Sequence, residues 1–152
     1  MTPYSEVFSK FKTLIIRDVT FFKNIDVDKV LSDRRCLSLM DSDITNMYLT
    51  EDSKDMPINF IQLRDDGNMT FVDTLNDIEV GLIAYFMWQC YVDEEFVLRF
   101  KELRRMGFSD KEITMFSPNE TLKQFTNSYN ELVSSNIKRL NKYKRIDRNT
   151  LK

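Results

Sequence analysis

The residues able to do chemistry in this chain are limited first by an omission: none of its 152 residues is histidine. Without an imidazole the chain lacks the commonest general base at neutral pH, the Ser-His and Cys-His nucleophile pairs, and most zinc sites. Its three glycines, Gly67, Gly81 and Gly107, are too far apart to build a phosphate-cradling loop. Carboxylates remain. Asp65, Asp66, Asp73 and Asp77 cluster in sequence, and hard divalent cations take such oxygens, as in a two-metal nuclease site. Their spacing fits no metal-ligand motif, nor does that of Asp41, Asp43 and Asp52, so we read a solvated acidic loop and assign no catalytic, cofactor or metal residue. Tyr85, Trp88 and Tyr91 could stack bases, yet they belong to a helix apolar on every side, where aromatic rings form core.

The third chemical feature is the basic end. From Ile137 onward, Lys138, Arg139, Lys142, Lys144, Arg145, Arg148 and Lys152 face only Asp147. Cations there suit a helix C-terminus, which is worth a few tenths to about 1 kcal/mol. Tyr143, Ile146 and Leu151 interleave with them and are expected to find no neighbours in their own domain, which points to a docking arm.

That arm must be carried by a long last helix. Ser117-Pro118-Asn119-Glu120 is a capping signature, and Leu122, Phe125, Tyr129, Leu132, Val133, Ile137 and Leu140 form an apolar stripe behind it, running to about Arg145. At 1.5 Å per residue such a helix reaches about 40 Å, beyond the core of a small domain. Upstream, Tyr4, Val7, Phe8, Phe11, Leu14 and Ile15 predict a first helix ending near Arg17. Val27, Val30, Leu31, Leu37, Met40, Ile44, Met47 and Tyr48 predict a second, interrupted at Asp41-Ser42-Asp43. Around the turn signal Asp66-Gly67, the segments with Ile58, Phe60 and Leu63 before it and Met69 and Phe71 after it read as a short β-hairpin or an ordered loop. Asn76-Asp77-Ile78-Glu79 is a capping box, flanked by a Leu75–Val80 staple. It opens a helix to Val92 with no polar face, expected at the centre of the bundle. Asp93-Glu94-Glu95 reads as a break or a wet turn before Phe96, Val97, Phe100 and Leu103 continue to a stop at Gly107, and Ser109-Asp110-Lys111-Glu112 opens a further short turn.

The expected fold is therefore mainly α: a bundle of about five helices over residues 1–140 with a small insert at 50–74, and a basic arm at 141–152. A chain of 152 residues with 42% hydrophobic content holds one core without disulfides. Cys36 and Cys90 read as reduced core residues. A net charge of −2 and a pI near 5.3 argue against a general nucleic-acid coat. The apolar run Val80–Trp88 is too short to span a bilayer, and the start lacks a secretory signal, so no membrane partner is expected. The acidic stretch Glu51–Glu79 and the basic end form opposite charge poles, which suits head-to-tail or layered contacts between subunits.

Three segments carry a resemblance. They are the opening helix Tyr4-Ser5-Glu6-Val7-Phe8-Ser9-Lys10-Phe11, the Leu75-Asn76-Asp77-Ile78-Glu79-Val80 start of the helix ending Trp88-Gln89-Cys90-Tyr91-Val92, and Met115-Phe116-Ser117-Pro118 ahead of Leu122, Tyr129 and the basic end. In their order and character the chain resembles the head-tail connector (neck, or head-completion adaptor) proteins of tailed bacteriophages. The resemblance implies a virion protein without enzymatic activity or cofactor, made in the host cytoplasm and assembled as a dodecameric ring. The ring would join the portal to the next neck or tail protein, and DNA would touch it only by passing through a polar, acidic lumen. Portal docking would fall to Lys142, Tyr143, Lys144, Arg145, Ile146, Arg148 and Leu151. Asp65, Asp66 and Phe71 of the insert, where the chain departs from the family pattern, are candidate subunit or tail contacts. Two other readings remain open: a small helical phage or host regulatory protein that binds a protein partner through its basic helix, and a metal-dependent nuclease or phosphatase using the acidic insert.

Overall fold

A computed structural model describes residues 1–18, 21–22, 26–42, 44–46, 58–109 and 122–145. Helix α1 spans Tyr4–Arg17 and buries Tyr4, Val7, Phe8, Phe11 and Ile15, the face its three- and four-residue spacing predicts. The chain then turns on Asp18, whose carboxylate accepts the Phe21 N–H at 2.8 Å and the Trp88 indole N–H at 2.8 Å.

The second expected helix is two pieces, α2 (Val27–Val30) and α3 (Asp33–Met40). The hydrophobic pattern runs across the gap because Leu31 is itself buried; what stops the helix is Ser32, whose hydroxyl accepts the Arg35 N–H at 3.2 Å and starts α3 afresh. The interruption at Asp41-Ser42 is present, with Ser42 capping the turn that holds Thr45. Asp43, Met47 and Tyr48 lie outside the described residues.

The insert forms a hairpin, and the chain's start joins it. Strands β1 (Thr2–Pro3), β2 (Arg64–Asp65) and β3 (Thr70–Phe71) make an antiparallel sheet with β3 central, Phe71 opposite both Thr2 and Arg64. Its connection is residues 66–69, and the left-handed residue is Met69 (φ 55°) rather than Gly67. The Met69 carbonyl accepts the Tyr4 N–H at 2.8 Å, tying the hairpin to the first turn of α1.

Helix α4 (Asp77–Val92) opens on the expected capping box: the Asn76 side chain accepts the Glu79 N–H at 2.9 Å, and the Glu79 carboxylate accepts the Asn76 N–H at 3.0 Å. It is the centre of the fold, packed by α1, α3 and the last helix. Leu82, Ile83, Ala84, Phe86, Met87, Cys90, Tyr91 and Val92 are all buried. The expected break at Asp93-Glu94-Glu95 is absent. The helix widens instead into a π-helical turn (Asp93–Val97) and continues as α5 (Leu98–Arg105), while Glu94 and Glu95 reach across to Arg35 of α3 at 2.6 and 3.3 Å. Gly107, at φ 95°, ends it in the left-handed conformation that costs glycine least.

The last helix, α6, spans Leu122–Lys144 against α4. Its inner line runs Tyr129, Leu132, Asn136, Leu140, Tyr143; Ile137, assigned inward by pattern, is 37% exposed. Asn136 takes the inner position because its amide donates to the Tyr85 carbonyl at 3.1 Å and to Gln89 Oε1 at 3.0 Å, so a polar side chain is satisfied inside. The Ser117-Pro118 cap and Asp110–Glu112 fall outside the described residues.

Candidate functional site: the basic end of the last helix and the groove beside it

Nothing about the end of α6 follows from charge alone. Lys138, Lys142 and Arg145 are exposed there, and Lys144 is half-buried. Arg139 is oriented by its neighbours: its guanidinium lies 3.8 Å from the Tyr85 ring centroid and donates to Asn136 Oδ1 at 2.9 Å.

Tyr143 corrects the expectation of an unanchored arm. It is 1% exposed, its ring meets Phe60 at 6.1 Å, and its hydroxyl donates to Glu79 Oε2 at 2.5 Å. Glu79, fully buried, thus serves the capping box through one oxygen and receives Tyr143 at the other. The reason is helical geometry: Tyr143 falls on the row of Asn136 and Leu140, so the bundle face extends to the helix end. Tyr143 is core rather than a docking group. Ile146, Arg148 and Leu151 lie outside the described residues.

The insert residues are also internally used. Phe71 is buried against Tyr4, ring centroids 4.9 Å apart, and so offers no contact surface. Asp66 accepts the Tyr4 hydroxyl at 2.6 Å and pairs with Arg64 at 3.0 Å; Arg64 also pairs with Asp41 at 2.8 Å. Asp65 holds the Asn68 amide at 2.7 Å. The Tyr4 hydrogen bond, with Arg64 adding to it against slight desolvation, keeps Asp66 below its ordinary 3.8. Burial, then the bond to Asp66, pushes Tyr4 up to about 12. Among the described residues no three Cys, Asp or Glu side chains converge as metal ligands would. Phe60 and Glu79 both meet Tyr143, and the Leu75 N–H donates to the Thr2 hydroxyl, so the described part of the insert, the chain start and the basic helix end gather at one end of the bundle.

Beside that basic end, between α4 and α6, runs a groove of about 310 Å³. Its floor is Ile78, Gly81, Leu82 and Tyr85, one face of α4, with the edge of the buried Tyr143 beside them, and Lys10 of α1, Arg139 and Lys142 stand at its rim with Asp77. Sequence reasoning missed it because α4 reads as apolar all round, which suggests that every face is covered. The available signal was a glycine inside that row.

The aromatic residues of α4 are mostly engaged. Tyr91 is buried and stacks on Phe22 at 4.5 Å, and Trp88 is held by Asp18. Cys36 and Cys90 are free and buried, and desolvation first of all pushes their thiols up to about 11 and about 12. No helix among the described residues is long and apolar enough to cross a membrane. Compared with known protein families, with curated proteins and with solved structures, the chain matches none.

Proposed function

We propose that this chain is a structural subunit that assembles as a ring at the head-tail junction of a tailed bacteriophage, joining the portal to the next neck or tail component while DNA passes through the lumen. The observation that supports this reading is the anchored cationic end of α6. Leu140 and Tyr143 hold one side of the helix in the core while Lys138, Lys142 and Arg145 point outward, so the charge is presented on a fixed rod. A rigid, pre-oriented cationic surface docks with little ordering cost and steers toward an acidic partner surface, here the portal. In this reading the protein acts by contact and does not turn over a substrate; it works in the virion after assembly in the host cytoplasm.

The alternative, a small regulatory protein that binds one protein partner through the same helix end, is favoured by the apolar groove beside it. Assembly separates the two. Mixed with portal-bearing heads, the wild-type chain should attach and form rings visible by negative-stain microscopy. A variant with Lys138, Lys142 and Arg145 each changed to Glu should keep its melting temperature and lose attachment. A wild-type chain that stays monomeric and does not attach would sink the connector reading.

A further inference from the structure

We propose that the groove between α4 and α6 receives a helical segment of a partner protein, acidic along its flanks and carrying a bulky apolar anchor that seats over Gly81. The inference stands whether or not the chain forms a ring. Ile78, Gly81, Leu82 and Tyr85 recur at the spacing of one helix face, two turns or about 10 Å long; Gly81 and Leu82 lie buried at its bottom, Tyr85 is half-buried and Ile78 is 44% exposed, so among the described residues the row opens on the groove. Such a row beside a second helix is the geometry by which grooves accept an amphipathic helix.

Gly81 selects the place. A glycine inside a helix weakens it relative to alanine, so a packing or geometric need within the fold normally accounts for one. Among the described residues neither is present: an added methyl would meet nothing within 4 Å, and the left-handed glycine is Gly107. The open space over the α4 backbone therefore lets an incoming side chain approach more closely than any other residue would allow.

The rim selects the charge. Lys10, Arg139 and Lys142 outnumber Asp77 around the mouth, and Arg139 is already held in place by Tyr85 and Asn136. A fixed guanidinium matches a carboxylate in two bonds without further ordering, and like charges on the partner would be repelled. An acidic amphipathic helix satisfies both floor and rim.

The test uses the full-length chain and fluorescent helical peptides of about 18 residues, or five turns. One peptide carries a leucine stripe flanked by Glu, a second the same stripe flanked by Lys, a third the same composition as the first with the stripe scrambled. We expect the first alone to bind, with amide NMR shifts centred on Ile78, Gly81 and Tyr85. Gly81→Leu should fill the groove and weaken binding at least about tenfold, the equivalent of 1.4 kcal/mol, without lowering the melting temperature. Lys142→Glu, an exposed position, should weaken it similarly and serves as the reporter if Gly81→Leu misfolds. Equal binding of the Lys-flanked or scrambled peptide, no binding of the Glu-flanked one, or binding indifferent to both substitutions overturns the proposal. So does displacement of the peptide by phosphatidylglycerol vesicles, which would make the groove a lipid site.

Discussion

Tyr4 lies where the first helix, the sheet and the acidic turn meet, and its hydroxyl makes pH a direct probe of that junction. Its pKa in the fold, about 12, is above the ordinary 10.0, so the stability it contributes is complete below about pH 10 and is lost as pH rises toward 12. Asp66 works in the opposite sense. Its depressed pKa contributes stability that is present above 3.8 and lost as pH falls through the folded value. Because the two share one hydrogen bond, Tyr4→Phe should flatten both ends of the melting-temperature profile, leaving Arg64 as the partner of Asp66. A variant whose acid and alkaline limbs match the wild type would show that this bond does not couple the sheet to α1.

At the scale of elements, α4 carries the fold. Its buried side chains face α1, α3 and α6 in turn, so a cavity within it is felt on several interfaces at once. Phe86 is fully buried, and Phe86→Ala should cost about 3 to 5 kcal/mol, a large share of the total stability of a small domain. Chemical denaturation of the purified variant measures this directly; an unchanged midpoint would mean that α4 is not the centre. The π-helical turn after α4 belongs to the same scale. It keeps α4 and α5 continuous while Glu94 and Glu95 pair with Arg35 of α3 and Asp93 accepts the Tyr129 hydroxyl of α6 at 3.3 Å, so the three acidic residues that read as a break or a wet turn tie this turn to both helices.

For the whole molecule, the burial of Tyr143 relocates the boundary between bundle and arm. Removing Lys142–Lys152 takes away a ring packed on Phe60 and the hydroxyl donor to Glu79 inside the core, and should cost about 3 kcal/mol or more. Removing only Ile146–Lys152 leaves Tyr143 in place, and the docking-arm reading of those residues predicts thermal unfolding within about 0.5 kcal/mol of wild type. If the connector reading holds, the shorter deletion should still reduce attachment to portal-bearing heads, because Arg148, Ile146 and Leu151 are among the proposed docking residues. Equal stability of the two truncations would contradict the core role of Tyr143. Unimpaired attachment of the shorter one would remove Ile146, Arg148 and Leu151 from the docking surface.

What periodicity and capping chemistry determine was legible in the sequence alone: a mainly helical chain, α1 with its inner face, the capping box and buried course of α4, the stop at Gly107, and two free buried cysteines. These are local signals, because a 3.6-residue repeat and a side chain bonding its own backbone are properties of neighbours in sequence. The hairpin was readable only as one of two options, since Thr2–Pro3 supplies its third strand from far away in the chain. Ser32 split a helix that hydrophobic pattern alone would have continued. The basic end was visible as charge, yet which of its residues face outward depended on Glu79, 64 positions upstream, meeting the Tyr143 hydroxyl. The groove was hidden for the same reason: an all-apolar helix does not state which of its faces lines an opening, and the packing of α1, α3 and α6 around α4 decided that, among the described residues, a groove runs along the Ile78–Gly81–Tyr85 row. Long-range contacts, set by how whole faces fit together, decided what the local code left open.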